Sequence, residues 1–279
     1  MGKDTVAILL STYNGELYLK QQIDSILIQD FKNWNLFIRD DGSNDATVKI
    51  IKQYSNDYHN IHFIEDQKRL GAAQSFMYLL KSVEADYYMF CDQDDVWYDN
   101  NISTKFNRIK KIESYEIGSP ILIFSDATVV DQDLNVINSS FWQYNKIAPN
   151  LLLSNSAYIN VYNSAPGCTM IFNNHLKGIV KDRNDEILMH DWYLMIIALK
   201  YGKVEISKKS LIMYRQHSSN VVGAKKISLL NRFLKIFRVK KLIKEQCEVF
   251  RFVGNYSKIG LLEFYKLKIL FNIYRYKKH

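Results

Sequence analysis

The sequence predicts an α/β fold in which a mainly parallel central sheet is flanked by helices and followed by a helical appendage at the C-terminus. In the first hundred residues, short apolar runs alternate four times with turns and helix-like segments, which is typical of parallel strands joined by crossover helices. The composition then changes near the end. Residues 224–279 hold 15 Lys and Arg against 3 Asp and Glu, and apolar residues recur there at helical spacing.

The elements of the first half follow from apolar runs and the turns that end them. Strands are predicted at Val6–Ser11, Leu36–Arg39, Ile61–Glu65 and Tyr87–Cys91, and helices at Leu17–Leu27, from Asn44 or Asp45 to Tyr54, and from Ala72 to about Val83. Ligands of such sheets bind beyond the carboxyl ends of the strands. The polar clusters that follow three of these strands, Thr12–Asn14, Asp40–Ser43 and Asp92–Asp95, should therefore meet at one edge.

The second half has a less regular pattern. Helices are predicted at Asn101–Glu113 and from His190 to Lys200, and strand-like runs occur at Ile121–Ser125, Val136–Phe141, Cys168–Phe172, Val204–Ile206 and Leu211–Arg215. Gly202 is expected to end the second helix. In the basic tail, helices are predicted at Ile227–Phe252 and Ile259–Tyr276.

Three carboxylates, Asp92, Asp94 and Asp95, follow the fourth strand within four positions. Negative charge at the end of a buried strand is unfavourable unless a positive charge lies beside it. Mg²⁺ or Mn²⁺ carrying a phosphorylated ligand fits this pattern, because both ions prefer oxygen ligands. The alternative is an Asp-rich turn that caps a helix and binds nothing. An EF-hand fits less well, because the Gly and Glu of that loop are missing.

Composition narrows the classes of function. The three cysteines form no disulfide framework, which indicates reduced thiols in a cytosol. No apolar run has the length of a signal peptide or a membrane span, so neither is expected. The basic tail could bind an anionic membrane surface or pack on the main domain, and the residues leave both alternatives open. Nucleic acid is not an expected partner, because no recognised binding module accompanies the charge.

With these pieces in order, the chain resembles the family 2 glycosyltransferases, which have the Rossmann-like A-type nucleotide-sugar transferase fold. The matching segments span Val6 to about Gly223 in family order and read VAILLSTYNGELYLKQQIDSIL, RDDGSNDAT, RLGAAQSF, FCDQDDVW, GCTMIF, HDWYL and YRQHSSN. FCDQDDVW together with YRQH is most similar to the bacterial rhamnosyltransferase-like subgroup. The resemblance implies a catalytic domain over 1–223, with a nucleotide-binding half (1–100) and an acceptor-binding half (101–223), and a basic helical tail over 224–279.

The resemblance also implies the residues of the donor site. Those expected to bind the nucleotide sugar are Thr12, Tyr13, Asn14, Glu16, Asp40, Arg69, Asp92 and Asp95. Tyr13 would stack on the base and Asp40 would accept a hydrogen bond from a pyrimidine N3–H, although Asp40 and Asp41 could instead form a turn. Asp94 and His217 would bind Mn²⁺ or Mg²⁺, which neutralises the departing diphosphate; a structural role is the alternative for His217.

On the acceptor side, Asp191 would be the general base that takes the proton of the attacking hydroxyl, and the reaction would invert the anomeric centre. This chain has His190 where many relatives have Glu, which leaves the local electrostatics open. Asp191 could instead be no more than a helix N-cap. Trp192, Cys168 and Thr169 would border the acceptor, with a core position as the alternative for Trp192.

The implied function is a metal-dependent inverting transferase that moves rhamnose or a hexose from a dTDP- or UDP-sugar to a saccharide in bacterial cell-surface polysaccharide synthesis. The acceptor is expected to be lipid-linked, and the protein to be cytoplasmic and peripheral on the inner face of the cell membrane, with a homodimer left open. One alternative is a sugar-phosphate nucleotidyltransferase, which usually has a Gly-rich basic loop where this chain has STYNGELY. Another is a non-catalytic saccharide-binding or scaffold protein.

Overall fold

The computed structural model describes residues 4–66, 68–181, 187–217 and 239–277. Its strands are β1 (Val6–Thr12), β2 (Trp34–Asp40), β3 (Ile61–Phe63), β4 (Tyr87–Cys91), β5 (Val96–Trp97), β6 (Ile121–Val130), β7 (Val136–Asn138), β8 (Met170–Asn173) and β9 (Lys203–Arg215). Its helices are α1 (Leu19–Leu27), α2 (Thr47–Asp57), α3 (Ala72–Ser82), α4 (Asn101–Glu113), α5 (Phe141–Tyr144), α6 (Pro149–Ser154), α7 (Asn174–Lys181), α8 (His190–Tyr201), α9 (Val239–Gly254) and α10 (Leu261–Lys277). Short 3₁₀ turns cover Ser156–Asn160 and Gly167–Thr169.

Within the described residues, the nine strands form one sheet in the order β3-β2-β1-β4-β8-β6-β9-β5, with β7 paired to β6. The neighbours β3, β2, β1 and β4 are all parallel, as predicted for the first half. In the second half β6 and β9 are parallel, but β8 runs antiparallel to both β4 and β6. The sheet is therefore mixed, with all strands parallel in its N-terminal part and both parallel and antiparallel pairs in the rest.

Helices cover both faces of the sheet, and the strands bury side chains on each. Ala7 and Leu9 of β1 belong to one hydrophobic core, whereas Val6, Ile8 and Leu10 belong to the other. The strand β4 divides its five residues between the same two cores. Since successive strand residues point to opposite faces, burial on both sides explains why these strands appear in the sequence as continuous apolar runs.

Several boundaries in the second half differ from the prediction. The runs Val204–Ile206 and Leu211–Arg215 are parts of one strand, β9, because the polar residues between them stay beside β6 through register shifts near Asp126. The segment Val136–Phe141 divides into β7 and the start of α5. The strand predicted from Cys168 begins at Met170, since Gly167–Thr169 forms a 3₁₀ turn.

The C-terminal helices pack on the rest of the chain. Phe252, Val253 and Tyr256, together with Phe264, Leu267 and Phe271 of α10, are buried in the same core as the apolar residues of α8. The first part of the predicted tail helix, residues 227–238, lies outside the described residues, as do the last three residues of YRQHSSN. In the described part of the chain, no helix is both long enough and apolar enough to cross a bilayer.

Candidate functional site

A cavity of about 1040 Å³ opens where β1 and β4 end. Its walls come from the loops after these strands, the loop before α3, the first turn of α8, the segment after β9 and the two C-terminal helices. Nine predicted site residues line it: Thr12, Tyr13, Asn14, Arg69, Asp92, Asp94, Asp191, Trp192 and His217. The structure therefore brings residues from separate loops into one cleft, while their individual roles stay predictions.

The side chain of Gln93 joins the two loops at the centre of the cavity. Its Oε1 accepts hydrogen bonds from the Thr12 hydroxyl at 2.6 Å and the Tyr13 N–H at 2.8 Å, and its Nε2 donates to the Tyr13 carbonyl at 3.2 Å. A Cβ on Gly15 would lie 2.6 Å from that same Oε1, so only glycine fits there without movement. Gln93 is a positioning residue that the sequence analysis missed, although it is the middle residue of the Asp92–Asp94 motif.

Tyr13 and Arg69 form one wall of the cavity. The guanidinium carbon of Arg69 lies 4.5 Å from the centroid of the Tyr13 ring. The loop that carries Arg69 is held by Asp41, whose carboxylate accepts hydrogen bonds from the N–H groups of Leu70 at 2.7 Å and Gly71 at 2.8 Å. An aromatic face beside a fixed cation is an arrangement that can stack on a base and contact a phosphate.

Asp40 and Glu16 do not line the cavity. The carboxylate of Asp40 accepts hydrogen bonds from the N–H of Gly42 at 3.0 Å, the N–H of Ser43 at 2.8 Å and the Ser43 hydroxyl. Glu16 accepts a hydrogen bond from the Ala46 N–H at 2.8 Å. The observed role of both carboxylates is to fix turns, which for Asp40 is the alternative considered above, and their predicted contact with the nucleotide remains a prediction.

Asp92 and Asp94 face the cavity with the imidazole of His217. The Nε2 of His217 lies 2.8 Å from Asp94 Oδ2, and the ring stacks on Tyr18 with centroids 4.8 Å apart. Burial and the negative charge of Asp94 raise the pKa of Asp92 to about 7. A divalent cation would offset this repulsion, and carboxylate oxygens with an imidazole nitrogen are ligands that Mn²⁺ accepts. The residues present therefore fit a divalent ion.

A second group of possible ligand atoms combines Asp92, which lines the cavity, with two buried residues. Ligand atoms of Asp92, Asp95 and Cys168 lie within 4.8 Å of one another. Neither Asp95 nor Cys168 lines the cavity, and the N–H of Arg215 donates to Asp95 Oδ1 at 3.1 Å. The ion that would meet a ligand's phosphates is better placed at Asp94 and His217, which do line it.

Cys168 and Thr169, predicted to border the acceptor, are also buried away from the cavity. The 3₁₀ turn directs them into the protein, where the Thr169 hydroxyl donates to the Pro166 carbonyl at 2.6 Å. Pro166 and Gly167, which precede them in the chain, line the cavity in their place.

The guanidinium of Arg215 fixes the loop that carries Asp94. Its Nε donates to the Asp94 carbonyl at 2.7 Å, its Nη2 to Gln21 Oε1 at 2.5 Å and its Nη1 to the Gln132 carbonyl at 2.5 Å. The guanidinium carbon also lies 4.6 Å from the centroid of the Tyr18 ring. Because three nitrogens of the guanidinium each donate to a different segment of the chain, Arg215 is a positioning residue for the acidic loop.

Asp191 lies in the first turn of α8, where Met189 is the N-cap residue. Its Oδ1 accepts a hydrogen bond from the Trp192 N–H at 2.6 Å, and burial raises its pKa to about 6. The preceding His190 stacks on Phe76 with centroids 4.2 Å apart, and burial lowers its pKa to about 3. His190 is therefore neutral at pH 7, so it adds no charge beside Asp191.

Trp192 connects the acidic end of the cavity to the C-terminal helices. Its Nε1 donates to the Ile159 carbonyl at 2.7 Å, and its ring meets Phe252 of α9 edge to face with centroids 6.0 Å apart. Beyond it, Gln246, Val249, Lys268 and Arg275 of the tail complete the wall. Trp192 is thus both a packed aromatic residue and part of the cavity surface.

Comparison with known proteins identifies the family and the fold of the chain. The protein-family model described as Glycosyl transferase family 2 matches residues 7–179. The dTDP-rhamnosyl transferase RfbG of Shigella flexneri is 30% identical over 229 residues, which cover 77% of this chain and 74% of that protein.

Among solved structures, S. aureus TarS in complex with UDP aligns with a TM-score of 0.58 and 20% identity over 76% of this chain and 60% of that one. Mannosyltransferase PcManGT from Pyrobaculum calidifontis, in complex with GDP-Man and Mn²⁺, aligns with a TM-score of 0.54 and 14% identity over 77% of this chain and 58% of that one. The chain thus spans about 60% of the length of these two structures. The likeness confirms the predicted fold class.

Proposed function

This chain belongs to glycosyl transferase family 2, and we propose that it is a metal-dependent, inverting transferase that moves rhamnose or a hexose from a dTDP- or UDP-sugar to a saccharide. The observation that carries the proposal is one cavity lined by the Asp94–His217 pair, the partly buried carboxylate of Asp191 and the Tyr13–Arg69 wall. The similarity to a dTDP-rhamnosyl transferase favours dTDP-linked rhamnose as the donor.

The donor would lie along the loops after β1 and β4. Tyr13 would stack on the base, and Arg69, held over the ring, would contact the diphosphate. Asp94 and His217 would hold Mn²⁺ or Mg²⁺, which when bound neutralises charge that develops on the leaving diphosphate. Gln93 and Arg215 would keep these groups in place through the hydrogen bonds that they make to both loops.

Asp191 would act on the acceptor. As the acceptor oxygen bonds to the anomeric carbon, the bond from that carbon to the diphosphate oxygen breaks and the hydroxyl proton passes to the carboxylate of Asp191. A partly desolvated carboxylate with a pKa near 6 is a stronger base than a fully solvated one, yet it is ionised at neutral pH. Desolvation is the main cause of the raised pKa of Asp191, and the neutral ring of His190 adds no charge beside it.

The rate of transfer is expected to depend on the ionisation of Asp191. The base is active when deprotonated, so kcat should be nearly constant above pH 7 and fall below about 6, with a slope that approaches about tenfold per pH unit. Initial rates between pH 4.5 and 8 at saturating Mn²⁺ and donor measure this profile. A kcat that stays flat down to pH 4.5 in a protein that remains folded would contradict the role of Asp191.

The lipid-linked acceptor and the peripheral membrane location belong to the same proposal. On α10, the apolar side chains of Leu262, Tyr265, Ile269 and Ile273 are exposed. They recur at helical spacing on the face opposite the buried Phe264, Leu267 and Phe271. The net charge of +12 over residues 224–279 suits an anionic surface. An apolar stripe within a basic segment supports binding to a membrane that contains anionic lipid.

We expect the full chain to sediment with vesicles that contain phosphatidylglycerol and much less with pure phosphatidylcholine. The double substitution Leu262→Asp and Ile269→Asp should weaken this binding by about tenfold or more, because two apolar side chains lose their burial in lipid. Ile117→Asp is the matched control, since Ile117 is 88% exposed on the main domain and Leu262 is 89% exposed. Equal binding by the double variant and the wild type would remove α10 as the membrane contact.

The substrate class is tested by release of nucleoside diphosphate from a panel of sugar donors with Mn²⁺. The proposal predicts turnover of dTDP-rhamnose or of a UDP-hexose by the wild type. Release of pyrophosphate from a nucleoside triphosphate and a sugar phosphate would support the nucleotidyltransferase alternative. Absence of any turnover, in a chain that still binds nucleoside diphosphate, would favour the non-catalytic alternative.

A further inference from the structure

We propose that the acceptor carries a phosphate group and that Lys268 of α10 binds this phosphate in the part of the cavity formed by the C-terminal helices. The inference rests on the proposed function, because it assigns the acceptor class of the same site. The contact between these helices and the catalytic part of the chain is what places Lys268 in the cavity wall.

Lys268 is a cation on the inward side of a packed helix. It is only partly exposed, between the buried Leu267 and Phe271, and it lines the cavity. Among the described residues its ammonium makes no hydrogen bond or ion pair, and the ring of Phe264 lies 5.9 Å away. By contrast, the buried ammonium of Lys177 pairs with Glu84 at 2.7 Å. A partly desolvated ammonium without a counter-ion is unfavourable until an anion binds it.

The neighbouring groups suit a phosphorylated saccharide. The Oε1 of Gln246 is buried in the same wall and accepts no hydrogen bond from any described residue, so it can accept one from a sugar hydroxyl. Arg275 donates to the carbonyls of Asn145 and Lys146 and lies 5.1 Å from the centroid of the Tyr162 ring. Tyr162 lines the cavity with its ring stacked on Phe271, and Arg275 adds a second positive charge.

The charges of the cavity are divided between its two ends. Its acidic lining residues are Asp41, Asp92, Asp94 and Asp191, which belong to the strand-end loops and α8. Among the described lining residues, none from 141–164 or from the C-terminal helices is acidic, whereas Lys268 and Arg275 are basic. The phosphate of the acceptor is therefore attracted to the helical end, because the positive groups of the acidic end, Arg69 and a bound ion, would contact the diphosphate of the donor.

The helical end also adjoins the base. Trp192 follows Asp191 directly, and its ring contacts Phe252 of α9. An acceptor can thus place a hydroxyl at Asp191 while its phosphate lies against Lys268. Recognition of the phosphate would set the orientation in which the hydroxyl meets the base.

The test measures binding of geranyl phosphate to the full chain by calorimetry, with dTDP and Mn²⁺ saturating so that the donor site is filled. We expect the wild type to bind it, and Lys268→Gln to bind at least about tenfold more weakly, because one charge-assisted contact is lost. Lys268→Arg, which keeps the charge, should bind within about threefold of the wild type. Lys266→Gln removes an exposed lysine from the same helix and should bind as the wild type does.

The proposal is overturned if Lys268→Gln binds geranyl phosphate as tightly as the wild type does. It is also overturned if Lys266→Gln loses as much affinity as Lys268→Gln, or if geraniol, which lacks the phosphate, binds to the wild type as tightly as geranyl phosphate. Titrations with glucose 1-phosphate and inorganic phosphate distinguish a phosphate on a lipid from a phosphate without lipid. Binding of either one that depends on Lys268 indicates a site for phosphate without lipid, and a requirement for the geranyl chain indicates a lipid-linked phosphate. Melting temperatures of all variants control for folding. Binding of dTDP with Mn²⁺ is measured separately, so that failure of the proposed donor site is distinguished from failure of the Lys268 site.

Discussion

Asp191→Asn is expected to lower the rate of sugar transfer by about 10²- to 10⁴-fold, the range that a positioned general base contributes. The amide has nearly the shape of the carboxylate, and its oxygen can still accept the hydrogen bond from the Trp192 N–H. It cannot take a proton from the acceptor hydroxyl. The loss should therefore fall on kcat, while the affinity for dTDP with Mn²⁺ stays close to that of the wild type.

The matched control for this substitution is Asp133→Asn, which changes an exposed carboxylate to an amide in the turn between β6 and β7. Its activity should be that of the wild type. The pH profile adds a second criterion, because the fall in rate below about pH 6 should disappear when Asp191 no longer titrates. Full activity of Asp191→Asn at neutral pH would mean that another group, or none, acts as the base.

Asp94→Ala is expected to abolish metal-dependent donor binding and to reduce kcat/KM by about 10²-fold or more. Loss of a group that only hydrogen-bonds to a metal ligand already lowers metal affinity or activity by about 10- to 100-fold, and Asp94 would itself be a ligand. The substitution removes the carboxylate that lies 2.8 Å from His217 Nε2. The backbone carbonyl of residue 94, which holds Arg215, stays in place. The loop should therefore keep its position while the ion loses a ligand.

The control for His217→Ala is His59→Ala, which changes an exposed histidine in the turn between α2 and β3. His217→Ala should weaken the Mn²⁺ dependence in the same direction as Asp94→Ala, and His59→Ala should not change it. Rates measured over a range of Mn²⁺ concentrations give the Mn²⁺ dependence of each variant. Unchanged Mn²⁺ dependence in Asp94→Ala and His217→Ala would exclude this pair as the ligands.

The first half of the fold could be predicted because its strands are buried on both faces. Such strands appear as short apolar runs that end in turns, and the bounds of β4 agree with the predicted run at Tyr87–Cys91. The meeting of the loops after β1 and β4 in one cavity follows from the parallel pairing of these strands. The part of the site that depends on parallel topology was therefore accessible to sequence reasoning.

The second half was harder to predict for physical reasons. The strand β9 contains the polar stretch 207–210, so its apolar period is interrupted although its pairing with β6 continues. Whether Cys168 and Thr169 face the cavity depends on a single 3₁₀ turn, which periodicity does not show. The place of Lys268 in the cavity wall depends on how α10 packs against residues distant in sequence, such as Tyr162. Long-range packing of this kind leaves no local pattern.

The most direct measurement is calorimetric titration of dTDP and UDP into the full chain, with Mn²⁺ and with a chelator in its place. Saturable binding of one nucleotide that requires Mn²⁺ and is lost in Asp94→Ala is the predicted result. Failure of the folded wild type to bind either nucleotide with Mn²⁺, or equal binding after the ion is removed, would contradict the assignment of this cavity to a metal-held nucleoside diphosphate.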